Sequence, residues 1–241
     1  MRQMIAGNWK MNMDTAGAAA LARALRPGLP GCDMLVCPPA TQLAAVAAIL
    51  AGSPVAVGGQ DCHQDDCGAH TGDIAASMLR DAGAAWVIVG HSERRAEHGE
   101  TDAVVRAKVL RAQAVGLRPV VCVGETQDER DAGHQDAVVN GQLAGSLPDA
   151  FDGLVAYEPR WAIGTGQSAT HRDVAAMHAL IRAALASRFG ERSAAMRILY
   201  GGSVKPDNAA GLLALPDVGG ALVGGASLVA ADFLAIAAAH A

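Results

Sequence analysis

Short apolar runs recur along the chain. Each is followed by a polar or glycine-rich corner and then by an alanine-rich stretch of helical period. The runs predict strands at Met4–Asn8, Asp33–Cys37, Val55–Gln60, Trp86–Gly90, Pro119–Gly124, Leu154–Glu158, Arg197–Gly201 and Val218–Val223. They are nearly continuous in hydrophobicity rather than alternating, which is the pattern of parallel strands covered on both faces. Between them, Asp102 to Val115 predicts a helix closed by Gly116 in the position after its C-cap. Thr170 with Asp173 resembles a capping box, and Val174, Met177, Ile181 and Leu185 form one apolar stripe behind it. Val229, Phe233 and Ile236 predict a second stripe near the end.

Eight such units in 241 residues leave roughly thirty residues for each strand and helix, the length of a βα unit with short connections. The fold expected is an α/β chain forming a single (β/α)8 barrel, one domain over residues 1–241. An open, doubly wound sheet is the alternative. It needs about six strands and a G-x-G-x-x-G turn after the first, and that turn is absent.

Composition narrows the picture. No linker or low-complexity tract divides the chain, and 51% hydrophobic residues suffice for a sizeable core. The net charge is −5 and the basic residues are scattered, so no nucleic-acid footprint is expected, and an anionic ligand must be held by local features. Five cysteines in no repeating pattern suggest reduced thiols and a cytoplasmic setting. The start, "MRQMIAGNWK", has no apolar stretch of signal-peptide length. Pro216, Asp217, several glycines and Asp232 interrupt the apolar C-terminal region, so no membrane span is predicted.

In a barrel, the polar groups that follow each strand converge at one mouth. The first strand delivers Asn8 and Lys10. A lysine at such a place is ordinarily a solvated charge; the functional reading is a cation for an anionic substrate or a developing oxyanion. The fourth delivers His91, Ser92 and Glu93 at the start of a helical turn, where the positive helix end favours a neutral imidazole. By themselves, Ser92 reads as a cap and Glu93 as the partner of an arginine. Cys122 and Glu125, after the fifth, read as packing and ion pairing. The sixth ends in "AYEPRWAIGTGQ": Glu158 at the strand end, Pro159 fixing the next φ, then a run of small residues. The seventh and eighth end in "YGGSV", with Ser203, and "LVGGASL", with Gly224 and Gly225. Gly-Gly pairs on the last two strands expose backbone N–H groups where this fold commonly grips phosphate.

Asp61, Cys62, His63, Asp65, Asp66, Cys67 and His70 crowd the segment "QDCHQDDCGAHTGD". The spacing C-H-x3-C fits no strong zinc pattern and no second Cys/His pair lies elsewhere, so a protruding loop between Gly68 and Gly72 is expected rather than a metal site.

In order, "GNWKMN", "GAHTGD", "VIVGHSERR", "CVGE", "AYEPRWAIGTG", "YGGSVKPDN" and "LVGGASL" closely resemble the triosephosphate isomerase family, and the resemblance runs from Asn8 to Leu228. It implies a TIM barrel that interconverts dihydroxyacetone phosphate and glyceraldehyde 3-phosphate in glycolysis and gluconeogenesis, with no cofactor. It implies Glu158 as base and His91 as electrophile, the family's known arrangement. Lys10 would stabilise the enediolate with Asn8 beside it, and Glu93 would support the site from behind. Backbone N–H groups of Gly164, Ser203, Gly224 and Gly225 would hold the phosphate. Pro159–Trp161 would be the hinge of a lid with its tip at Ala162–Gly166. A homodimer is implied, the loop around Thr71 inserting beside the neighbour's site.

Three positions depart from the family pattern: Arg160 at a hinge position that is normally aliphatic, Asp61 where asparagine is more common, and Gly219 where an acidic or amide residue is common. The asparagine's replacement by Asp61 is expected to reverse the polarity of a dimer-loop hydrogen bond. Two rivals share the phosphate grip: an aldolase or synthase built on the same barrel, and a phosphosugar-binding barrel without catalysis. Neither requires Lys10, His91 and Glu158 together.

Overall fold

The computed structural model describes residues 2–162 and 169–240. Eight parallel strands follow one another around a closed barrel. They are β1 (Met4–Asn8), β2 (Asp33–Cys37), β3 (Val55–Gly59), β4 (Trp86–Val89), β5 (Arg118–Val123), β6 (Leu154–Tyr157), β7 (Ile198–Tyr200) and β8 (Gly220–Val223). β1 closes the ring by pairing with β8, Met4 opposite Gly220 and Gly7 opposite Val223. The helices between them are α1 (Thr15–Leu25), α2 (Ala40–Leu50), α3 (Ala76–Asp81), α4 (Ser92–Glu97), α5 (Asp102–Ala114), α6 (Gln127–Asp131), α7 (Gln135–Ser146), α8 (His171–Phe189), α9 (Ala209–Leu213) and α10 (Ala230–Ala238).

The continuous apolar runs have the expected cause. Met4, Ala6, Leu35, Cys37, Trp86, Ile88, Val120, Cys122, Leu154, Ala156, Leu199 and Leu222 fill the barrel interior. Their neighbours, such as Ile5, Val87 and Val155, join the larger core between strands and helices. Both faces of each strand are therefore dry, and no alternation survives. Helix starts are set by local side-chain caps. Thr101 accepts from Val104 N ahead of α5, and Thr170 with Asp173 closes a capping box on α8. The stripe Val174, Met177, Ile181 and Leu185 is buried, together with His178 and Phe189.

Several predicted bounds shift. Gln60, Gly90, Gly124, Glu158 and Gly201 lie one residue past their strands, because there the chain splays into the loops of the mouth. Two of them still make one further ladder bond: Glu158 N donates to Val123 O at 2.8 Å and Gly201 N to Tyr157 O at 2.7 Å. β8 begins at Gly220, not Val218, since Asp217 takes a left-handed φ of 61° and Val218 belongs to the turn that follows α9. Val229 is 50% exposed ahead of α10, so the terminal stripe is carried by Phe233 and Ile236 without it. At Gly219 a Cβ would come within 2.9 Å of the Arg197 Cβ, so β7 and β8 approach too closely there for the residue expected of the family.

Among the described residues, no helix is long and apolar enough to cross a membrane. The five cysteines are free thiols, all buried except Cys67.

Candidate active site

The carboxyl ends of β1, β4, β6, β7 and β8 open into one cleft of about 580 Å3. Asn8, Lys10, His91, Glu93, Glu158, Ser203, Gly224 and Gly225 all line it. Gly164 lies outside the described residues, as does the lid segment beyond Ala162. Thr71 does not line the cleft; it is exposed in the long loop between β3 and α3.

Glu158 is held at the base of the cleft, only 2% exposed. One carboxylate oxygen lies 2.9 Å from His91 Nε2, and the other accepts from the Ser92 backbone N–H at 2.9 Å. Two glycines make room for it. A Cβ on Gly124 would stand 1.8 Å from the Glu158 carbonyl oxygen, and one on Gly201 would stand 2.8 Å from the Glu158 Cγ. Burial pushes the Glu158 carboxyl up, but His91 and the hydrogen bonds from His91, Ser92 and Cys122 outweigh it and hold the carboxyl below its usual range.

His91 caps α4, accepting the Glu93 N–H at its Nδ1 at 3.2 Å. That bond requires a lone pair on Nδ1, so the proton of a neutral ring sits on Nε2 and donates to Glu158. Burial pushes the His91 pKa down, yet the Glu158 carboxylate and its hydrogen bond carry the net direction upward. The two indications differ because the upward push depends on Glu158 staying where it is. The lone pair facing the helix N-terminus is the observation that identifies the ring as neutral here.

Lys10 has a left-handed backbone, φ 51°, which a side chain adopts only under restraint. Asn8 Oδ1 accepts the Lys10 N–H at 3.0 Å, and Gln60 Nε2 donates to the Lys10 carbonyl at 2.9 Å and to the Cys37 carbonyl at 2.9 Å. The ammonium pairs with Glu93. Glu93 was expected to meet an arginine; with Lys10 converging from β1, the nearest cation at the mouth is the lysine. Gly224 and Gly225 open a short 3-10 turn, Gly225–Leu228, whose Ser227 side chain donates to Gly224 O at 2.7 Å. Among the described residues, none comes within 4 Å of a Cβ placed on Gly225, and Lys10 Cε alone does so for one placed on Gly224. Lys10 and the exposed amides therefore face the same volume.

The sequence reading missed Gln60, the Ser92 amide and Cys122 as parts of the site. Gln60 carried a signal, a polar side chain at a strand mouth like Asn8. The Ser92 amide carried none, since a backbone N–H leaves no trace in residue type. Asp61 also takes a course of its own. Its carboxylate lies 2.8 Å from Lys108 Nζ and 2.9 Å from Arg94 Nε, and Glu100 shares both cations. Asp61 thus closes a charge quartet within the chain.

Pro159–Trp161, the expected hinge, is anchored from the loop that follows β5. Glu125 is fully buried and accepts from Trp161 Nε1 at 2.9 Å, Tyr157 Oη at 3.1 Å and Arg130 Nη1 at 3.1 Å. The Arg130 guanidinium lies over the Trp161 ring at 4.7 Å.

The family model of triosephosphate isomerase matches residues 3–240. A triosephosphate isomerase of Granulibacter bethesdensis is 59% identical, with all of both chains covered. One of Acidiphilium cryptum is 60% identical over 100% of this chain and 99% of its own. The crystal structure of triosephosphate isomerase from Bartonella henselae superposes with a TM-score of 0.94 at 49% identity, covering 99% of each chain.

Proposed function

The chain belongs to the triosephosphate isomerase family, and from that premise we propose how its own residues interconvert dihydroxyacetone phosphate and glyceraldehyde 3-phosphate. The single observation that carries the reading is the convergence of Glu158, His91 and Lys10 on one cleft beside the Gly224–Gly225 turn. Glu158 takes a proton from one of the two adjacent carbons and returns it to the other. Negative charge builds on the two oxygens in between, and the Nε2–H of His91 and the ammonium of Lys10 stabilise it. The backbone N–H groups at Ser203, Gly224 and Gly225 hold the phosphate, together with Gly164 from the lid. Glu93 and Asn8 keep Lys10 in place. The reaction needs no cofactor, because proton transfer and charge stabilisation are both supplied by the chain.

Glu158 must leave His91 and Ser92 to reach the substrate. That movement also readies the electrophile. Once the carboxylate is gone, the largest upward influence on the His91 pKa goes with it, while burial, Lys10 and the α4 N-terminus all disfavour the imidazolium. A neutral Nε2–H donor is then what the enediolate meets. The reading takes residues 1–241 as one catalytic domain in the cytoplasm, acting as a homodimer through the loop around Thr71. A coupled assay with glyceraldehyde 3-phosphate tests it: the wild type turns over, and Glu158→Gln loses nearly all activity. A wild type that binds the substrate without turnover would leave only a phosphosugar-binding barrel.

A further inference from the structure

The proposed phosphate grip is made of backbone N–H groups, yet the cleft around it is lined by more negative charge than positive. Its ionisable lining is Lys10, Glu93, Glu158, Lys205 and Asp232, beside the neutral ring of His91. Three carboxylates thus face two ammonium groups. Glu158 is buried and held by His91 and the Ser92 amide. Asp232 lies half-buried in the first turn of α10. Among the described residues, Lys10 is paired with Glu93, and neither Lys205 nor Asp232 forms an ion pair. Lys205 is therefore the cation of this cleft whose charge is uncommitted.

The backbone that carries Lys205 is braced. Asn208 Oδ1 accepts the Lys205 N–H at 2.8 Å, and Asn208 Nδ2 donates to the Ser203 carbonyl at 3.0 Å. The Lys205 carbonyl accepts in turn from the N–H groups of Asn208 and Ala209, at 3.2 and 3.0 Å. Pro206 fixes the next φ. The exposed Lys205 side chain thus starts from a fixed turn, two residues after Ser203. The dimer proposed above leaves it uncovered. The Thr71 loop follows β3 and this turn follows β7, four strands away on the opposite side of the eight-stranded ring.

We propose that Lys205 captures the substrate, its ammonium pairing with the phosphate dianion beside the Ser203, Gly224 and Gly225 amides; this rests on the phosphate grip described above. A phosphate monoester carries close to two negative charges at neutral pH. The chain itself carries a net charge of −5, so its overall field opposes the approach of that ligand. A local cation at the mouth reverses the opposition where it matters. The phosphate takes no part in the proton transfer, so a contact to it is equally strong in the bound substrate and in the transition state. Lys205 then sets KM and kcat/KM and leaves kcat alone. Lys10 remains for the charge that develops on the enediolate oxygens.

The test compares the wild type with Lys205→Gln, Lys205→Glu and Lys205→Arg in two measurements. One is calorimetric binding of glycerol 3-phosphate, an unreactive phosphate monoester. The other is steady-state turnover of glyceraldehyde 3-phosphate. At about 0.01 M salt, Lys205→Gln should lower both affinity and kcat/KM by about fivefold. Lys205→Glu should lower them by about 25-fold, because its charge change is twice as large. We expect kcat to stay within about twofold throughout, and Lys205→Arg to keep affinity within about twofold of the wild type. At about 0.5 M salt the loss in Lys205→Gln should shrink to about twofold or less. Affinity unchanged in Lys205→Glu would overturn the proposal. So would a loss in Lys205→Arg as large as in Lys205→Gln, or a loss that salt does not reduce, since either marks a structural role. The binding measurement does not depend on turnover. Charge-dependent binding without turnover by the wild type would sink the isomerase reading and leave Lys205 in place. Turnover with equal affinity in all variants would sink Lys205 alone, and no binding by the wild type would remove the phosphate grip and this proposal together.

Discussion

Glu158 is stored in a two-point grip, His91 on one oxygen and the Ser92 amide on the other, and the proposed mechanism requires it to exchange both for substrate. Its reach is set by one methylene. Shortening to Glu158→Asp should lower kcat by on the order of 10²-fold or more with a smaller change in KM, because proton transfer depends on ångström-scale placement. Full activity in steady-state assays of that variant would remove Glu158 from the role of base. Gln60 acts at one remove, through the Lys10 carbonyl. Without its carboxamide, the left-handed turn at Lys10 loses one of its restraints. Gln60→Ala should reduce kcat/KM by about tenfold, near 1.4 kcal/mol of transition-state stabilisation. Unchanged kcat/KM would mean that Asn8 alone holds the lysine.

At the scale of elements, the proposed hinge after β6 is held by its backbone and by one aromatic ring. The Arg160 N–H donates to the Glu125 carbonyl at 3.1 Å, and Trp161 is fastened to the Glu125 side chain. The Arg160 side chain, by contrast, forms no ion pair among the described residues and is only half-buried. A long arginine can keep its charge in water while its stem lies on the surface. Arg160→Val should therefore leave kcat within a few-fold, an effect below about 1 kcal/mol on the barrier. Pro159→Gly should cost clearly more, since an unrestrained hinge loses more entropy on closing. Measured kcat values in the reverse order would mean that the arginine latches the closed lid.

For the whole molecule, two predictions concern assembly and acid stability. Thr71 stands exposed on a loop that leaves the barrel, so a partner can reach it. Thr71→Arg should shift the chain toward monomer in sedimentation and lower activity in step, and a fully active monomer would show that the loop does not complete the site. His178, on α8, is buried between that helix and the barrel against Tyr157 and Tyr200, its Nε2 without a partner among the described residues. Burial pushes its pKa down to about 4. Above the ordinary imidazole value near 6.5 the ring is neutral in both folded and unfolded chains, and stability is undiminished. As pH falls from there toward 4, the unfolded chain takes up a proton that the folded chain refuses, so stability is lost, by up to about 3 kcal/mol. Urea melts at pH 7 and pH 4.5 should show a smaller loss in His178→Gln than in the wild type. Equal losses would clear His178 as the acid-labile group.

The sequence by itself determined whatever is local and repeated. Strands buried on both faces must be apolar throughout, so eight of them were legible as runs, and the Thr170–Asp173 box was legible because a cap involves residues only three apart. Asn8, Lys10, His91, Glu93, Glu158, Ser203, Gly224 and Gly225 could be read as a set because a barrel sends every strand's end to one mouth. Only the tertiary structure decided who meets whom there. Glu158 finds Ser92 across 66 positions and Lys10 finds Glu93 across 83; charge alone did not distinguish Lys10 from an arginine as the partner. Asp61 read as a departure that would reverse a dimer-loop hydrogen bond, and the partner it meets within the chain is Lys108, 47 positions away. His63 and His70 read as part of a polar crowd until the loop folded back and set their rings face to face. A residue's type limits which partners it can take, but the partner it meets depends on distances between chain segments that no local pattern encodes.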